Sequence, residues 1–221
     1  MDQEELNPPW DLTPKQAIEL QKKLTNQLII TDQFSEIRTV AGVDVGFEQQ
    51  NTIARAAIAV LSLDNLKLIN TSIARRPVTF PYVPGLLAFR EIPVVLDALE
   101  QLSQQPDMLL CDGQGIAHPR GLGIAAHLGL LTNIPSIGVA KKRLIGDHEP
   151  VDNHKGDYQP LYIKGKQVGI VLRTRDNVKP LYISPGHRVS ITTAMEMVMR
   201  CLTKYRLPET TRYAHNLASG K

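Results

Sequence analysis

Three acidic residues stand where the local pattern has no ordinary use for a charge. Asp44 lies in a segment where Ala41, Val43, Val45 and Phe47 alternate with Val40, Gly42, Asp44 and Gly46. That period of two is a strand, and it points Asp44 away from the apolar set. Its same-face neighbours Gly42 and Gly46 strip the surroundings of side chains and leave room for a bulky ligand. An edge-strand aspartate facing water is the alternative. Glu91 falls on the stripe formed by Leu87, Val95, Ala98 and Leu102, the inward face of a helix. An ionised group left unpaired there costs several kcal/mol, so it must be neutral, paired or metal-bound. A salt bridge to Arg90 or another basic group would also serve. Asp112 follows Met108-Leu109-Leu110-Cys111 and precedes Gly113-Gln114-Gly115. This is the carboxyl end of a parallel strand, where ligands of α/β sheets gather; a strand-end cap is the ordinary reading.

Together the three form an all-oxygen donor set of the kind that suits Mg²⁺. Such an ion can bind a phosphate oxygen, lower the pKa of a water and stabilise a leaving 3′ oxygen, the demands of phosphodiester hydrolysis. No serine triad or cysteine nucleophile competes. His215, in Arg212-Tyr213-Ala214-His215, is open to three readings: fourth ligand, base that orients water, or helix-surface histidine.

These residues need a scaffold. At 221 residues and 43% hydrophobic content the chain can bury a substantial core as one domain spanning 1–221. The balance of 25 basic against 22 acidic residues, +3, permits nucleic-acid binding without demanding it. Two cysteines, no signal-like segment and no apolar run of membrane-spanning length predict a reduced, cytoplasmic protein with no membrane association. Thr13-Pro14-Lys15-Gln16 reads as a capping box with proline at the first helical position, and Ala17, Leu20, Leu24 and Leu28 follow at helical spacing. This predicts a helix docked on the domain. Three antiparallel strands follow, over 39–47, 55–63 and 66–75. A helix over 86–103, a strand over 108–111, a helix over 122–131 and a strand over 136–140 then alternate, which implies parallel pairing. Pro93 must kink the first of these helices or restart it near Ile92. Strands over 161–173, with a turn at 164–166, and 180–184, then helices over 190–203 and 209–218, complete an α/β fold. A hairpin-first mixed sheet flanked by helices is the arrangement of ribonuclease-H-like domains.

With these residues in hand, the sequence resembles the endonuclease V, or deoxyinosine 3′ endonuclease, family over nearly its whole length. The resemblance rests on Val40 to Asp44, Phe80 to Glu91, Asp112 to Arg120, Ile137 to Leu144, Gly186-His187-Arg188 and Leu207 to Arg212, many separate blocks rather than one short motif. It implies a ribonuclease-H-like fold with Asp44, Glu91 and Asp112 as catalytic metal ligands, for Mg²⁺ with Mn²⁺ as a substitute, and it makes metal contact the better role for His215. It implies a DNA repair enzyme, acting as a monomer, that recognises deaminated bases in single- or double-stranded DNA. Such an enzyme hydrolyses the second phosphodiester bond 3′ to deoxyinosine, leaving 3′-hydroxyl and 5′-phosphate ends. Inosine-containing RNA is the alternative substrate.

Within the resemblance, Pro81-Tyr82-Val83-Pro84 matches the strand-separating wedge, since prolines stiffen the loop around an aromatic that can stack where a base has left. Such turns also pack on their own domain. Gly85, Gly113 and Gly138, with Leu87, His118 and Ile124, are expected to wall the pocket for the flipped base. Backbone N–H and C=O groups can match the O6 acceptor and N1 donor of hypoxanthine, whereas adenine presents the reverse order. Lys141 is assigned to a phosphate near the cut. Lys142, Arg143, Arg120, Arg188, Lys204, Arg206 and Arg212 are candidates to follow the DNA backbone, and His118, His187 and Ser184 to touch the pocket or a phosphate. Two other classes compete. A sugar-kinase or actin-like ATPase also begins with a strand aspartate but needs two such lobes and paired phosphate loops. A catalytically dead nucleic-acid-binding module would have no need of intact acids at 44, 91 and 112.

Overall fold

The computed structural model describes residues 10–220. Helix α1 (Pro14–Thr25) opens with the expected capping box, Thr13 accepting from the Gln16 amide and the Gln16 side chain accepting from that of Thr13. Strands β1 (Thr39–Glu48), β2 (Ile53–Ser62) and β3 (Leu68–Pro77) follow, then α2 (Ala88–Glu100), β4 (Met108–Cys111), α3 (Ile124–Thr132) and β5 (Ser136–Ala140). Strands β6 (Tyr158–Ile163), β7 (Lys166–Leu172) and β8 (Leu181–His187) come next, and α4 (Ile191–Arg200) and α5 (Glu209–Ala218) complete the order.

One eight-stranded sheet runs β3-β2-β1-β4-β5-β8-β7-β6. The first three strands are antiparallel, and β4 and β5 join in parallel. This is the mixed α/β sheet expected, with one addition: β8 pairs antiparallel with β5, and β7 and β6 extend that half as an antiparallel ribbon. The alternating helix–strand pattern stops at residue 140; the β6–β7 link over 164–165 and the β7–β8 link over 173–180 are too short for a parallel crossover, so these strands return antiparallel.

Burial covers both faces. Ala41, Val43, Ile58, Ile92, Val95 and Leu109 form one apolar cluster; Val40, Leu110, Ile137, Ile183 and Val198 form another on the opposite side. Strand β1 therefore gives side chains to two cores: Val40 to Val43 are buried, and Thr39 and the half from Asp44 to Glu48 are part-exposed. Pro93 neither breaks nor restarts α2: it sits within the continuous helix, which forgoes the one backbone bond to the Phe89 carbonyl that proline cannot donate. Leu87 caps that helix and is 41% exposed, so the stripe that holds Glu91 begins one turn later than its periodicity suggests.

Candidate metal centre and adjoining cavity

Register places the two aspartates. Val43 of β1 pairs in parallel with Cys111 of β4, and the Asp112 amide donates to the Val43 carbonyl at 2.9 Å. Asp44 and Asp112, one step beyond that pair, stand side by side at the carboxyl edge of the central strands. Asp44 Oδ1 accepts from the Val45 amide and Oδ2 from His215 Nδ1, both at 2.8 Å. Donor atoms of Asp44, Asp112 and His215 all lie within 4.8 Å of one another.

The glycines of β1 explain how a histidine 171 residues away reaches Asp44. A Cβ on Gly42 would overlap the Thr210 carbonyl of α5, and one on Gly46 would lie 2.6 Å from the Ala218 carbonyl. Glycine at both positions lets α5 lie against β1, and His215 falls between those contact points on the face of Asp44. Room for a ligand was the expectation; room for a helix is what the glycines provide.

Glu91 lies in the first turn of α2 and is buried. Burial, with the Asp44 and Asp112 charges behind it, pushes its carboxyl up to about 8. Burial and the Asp112 charge also raise Asp44. The salt-bridge alternative fails among the described residues: Arg90 turns its guanidinium to the Phe47 and Tyr82 rings, and no other basic side chain forms an ion pair with Glu91. Lys141, at the end of β5, pairs with Asp112. Glu91 is not in the group of donor atoms that Asp44, Asp112 and His215 bring within 4.8 Å, and it feels the two aspartates through their charges. One lysine cannot neutralise all three acids, and oxygen donors with one imidazole fit a divalent cation.

Beside the acids opens a cavity of about 430 Å³, lined on the acid side by Glu91 and Asp112. Tyr82, Pro84, Gly85, Leu87, Gly113, His118 and Ile124, all anticipated from sequence, are among its walls; Pro81 flanks them without lining it. Tyr82 at 70% and Leu144 at 51% exposure stand at its mouth. Lys142 and Arg143 also line it, so these two cations face the cavity and not only a passing backbone. Burial, then the Arg120 charge, lowers His118 to about 4; its ring is neutral at pH 7, with Nδ1 accepting from the Arg120 amide at 3.2 Å.

Several expected contacts have other tasks. Gly138 stands behind the wall, where a Cβ would strike the Gly113–Gly115 backbone. Ser184 Oγ accepts from the Gly115 amide at 2.8 Å, and His187 Nδ1 from the Ile29 amide at 3.3 Å; both side chains are buried. Arg120 donates to Gly85 O at 2.6 Å and to Gln21, tying the cavity wall to α1. Arg188 is held by Asn133, and Arg206 by the carbonyls of Lys179, Lys141 and Pro180. Arg212 pairs with Glu209 between the Tyr205 and Tyr213 rings, and Lys204 lies over Tyr205. Sequence reasoning missed Gln21, Gln114 and Leu144. Gln21 is fully buried and donates to Gly85 O at 3.1 Å and Leu122 O at 3.2 Å. Its one signal was a polar residue on the apolar face of α1. Gln114 lines the cavity and donates to Lys142 O at 3.2 Å.

Fold and site together define an α/β protein with a candidate acidic divalent-metal centre that opens on a cavity. A family model for Endonuclease V matches residues 22–216. The Endonuclease V of Nostoc punctiforme is 61% identical over 213 residues, 96% of each chain. The solved Endonuclease V of Streptomyces avermitilis has a TM-score of 0.90 at 41% identity, covering 96% of this chain and 93% of that one. That of Ciona intestinalis, solved in complex with a 24mer DNA containing an inosine followed by a ribo-adenosine, has a TM-score of 0.82 at 29% identity, over 93% and 96%. The chain belongs to the Endonuclease V family and is therefore an endonuclease, a phosphodiester-cleaving enzyme. No helix among its described residues is long and apolar enough to cross a membrane.

Proposed function

We propose that this endonuclease is a cytoplasmic, monomeric DNA repair enzyme that recognises deoxyinosine and hydrolyses the second phosphodiester bond on its 3′ side, leaving 3′-hydroxyl and 5′-phosphate ends. The observation that carries the reading is the convergence of Asp44, Asp112 and His215 within 4.8 Å beside a cavity in the size range of small-ligand sites. Asp44, Glu91 and Asp112 hold Mg²⁺, which Mn²⁺ can replace, and His215 completes the donor set or orients the attacking water. When bound, the ion supplies Lewis acidity at the scissile phosphate and countercharge for the leaving oxygen.

The chain's own groups do the rest. Tyr82 enters the duplex and stacks where the lesion base has left. The flipped hypoxanthine meets the Gly85 and Gly113 backbone and the neutral His118 ring between the apolar Leu87 and Ile124. An edge with the wrong donor order leaves buried groups unmatched, at about 1–3 kcal/mol each. Lys141 contacts a phosphate near the cut, and Lys142 and Arg143 attract the strand at the mouth.

The test is a labelled duplex carrying one deoxyinosine, incubated with and without Mg²⁺, with the cut mapped to the nucleotide. One incision at the second 3′ bond, lost on chelation, is expected. Incision elsewhere, or equal cutting of undamaged duplex, overturns the reading. The ribo-adenosine in the ligand of the Ciona relative favours one added arm, a matched inosine RNA. Faster cleavage of that RNA would move the assignment to the ribonuclease alternative.

A further inference from the structure

Tyr82 presents a mechanical problem. A ring that parts two strands must keep its orientation against stacked bases, yet Tyr82 is 70% exposed and belongs to a segment without regular structure. The loop is anchored on either side of it, by Phe80, buried and stacked on Phe89 with centroids 5.4 Å apart, and by Gly85 O, which accepts from Gln21 and Arg120. Neither anchor orients the ring. The ring contact Tyr82 makes among the described residues is with Arg90, whose Cζ lies 5.8 Å from its centroid.

Arg90 is held in turn from behind. Its Cζ lies 4.9 Å from the centroid of Phe47, near the end of β1, and Nη2 donates to Asn51 O at 3.4 Å. That carbonyl belongs to the β1–β2 turn, where Gln49, Gln50 and Asn51 all take positive φ, 48°, 57° and 68°. Arg90 Nε is buried without a hydrogen-bond partner. With Nε unmatched and no ion pair to a carboxylate among the described residues, the Arg90 guanidinium is placed by the two ring contacts and the Asn51 carbonyl. Phe47 rises from the same strand as Asp44, and Arg90 precedes Glu91 on α2, so the stack rests on the two elements that carry the acids.

We propose that Arg90 is the positioning residue for Tyr82: its guanidinium, layered between the Phe47 and Tyr82 rings, fixes the wedge ring relative to the acid cluster. This rests on the reading of Tyr82 as the wedge. The layer matters for duplex substrates, which must be opened, and much less for single strands, which need no wedge.

The measurement is the ratio of kcat/KM on a deoxyinosine duplex to that on the same lesion in a single strand. For the wild-type protein, Tyr82→Ala, Arg90→Ala, Arg90→Lys and the Tyr82→Ala/Arg90→Ala pair, it is read alongside thermal melting. Tyr82→Ala lowers the ratio about tenfold, in line with the value of one aromatic–base stack. Arg90→Ala lowers it about fivefold, Arg90→Lys recovers only part because an ammonium lacks the flat face, and the double variant falls no further than Tyr82→Ala. If Tyr82→Ala leaves the ratio unchanged, the wedge reading fails and takes this inference with it. If Tyr82→Ala lowers the ratio but Arg90→Ala costs both substrates equally, or the two losses add, the wedge stands and the role of Arg90 is refuted. Should Arg90→Ala melt below the assay temperature, Phe47→Leu removes the rear layer instead. A ratio unchanged by Phe47→Leu likewise refutes the proposal.

Discussion

The acid cluster and the cavity mouth share α2 yet are built in opposite ways. Asp44 and Asp112 project from paired central strands whose register sets their spacing, and Glu91 is buried with its carboxyl driven to about 8. Tyr82, Leu87 and Leu144 stand exposed outside strands and helix interiors, and the loop of Tyr82 is held by the Phe80–Phe89 stack and by the Gly85 carbonyl. The contrast follows from the work proposed for each region. Like charges held close repel, and only a frame that cannot relax keeps them together until a cation arrives. A ring that must enter DNA has to be outside the packed interior, so its order comes from tethers.

The sharpest break between the two regions is removal of an acid. Asp44→Ala and Asp112→Ala are each expected to lower cleavage about 10³-fold or more, several kcal/mol of lost charge stabilisation, while chemical denaturation shows stability kept or raised. A fall in both quantities would mean the acids are structural. On the mouth side, His127 lies fully buried against Trp10 and Phe89, and neither ring nitrogen has a hydrogen-bond partner among the described residues. Burial lowers its pKa to about 3. Between about 6.5 and 3 the unfolded chain therefore holds a proton that the folded chain refuses, so stability falls as pH drops, by about 1.4 kcal/mol per unit. Denaturation profiles of His127→Leu should show that slope reduced; an unchanged slope would show that another group titrates. Gly42→Ala should cost about 1–3 kcal/mol by forcing α5 off β1, and should weaken Mg²⁺ binding by moving His215. Calorimetric affinity equal to wild type would break that coupling. The smallest effect belongs to Leu144→Ala, about tenfold in discrimination between deoxyinosine and deoxyadenosine substrates, read from competing cleavage rates.

How much of this was legible varies with the reach of the contacts. β4, β5 and α5 have the bounds read from the sequence, because a short continuous apolar run and a helical period are local signals. The acids announced themselves by breaking that local order. Gly138, Ser184 and His187 were legible as unusual but not as spacers or struts, since their partners lie far along the chain: Gly115 is 69 residues from Ser184, and Ile29 is 158 from His187. The arginines misled for the same reason. An Arg206 side chain looks free in a sequence whether its donors meet phosphate or, as here, the carbonyls of Lys179, Lys141 and Pro180. The antiparallel return of β8 was hidden because strand direction is a property of the pair.

The contact of His215 with Asp44 spans 171 residues and has a consequence for synthesis. Strand β1 leaves the ribosome long before α5, so a nascent or prematurely terminated chain that stops short of α5 has a sheet edge with no imidazole beside it. The two aspartates are thus brought together by the sheet before their imidazole partner has been made, and the contact is among the last in the molecule to form.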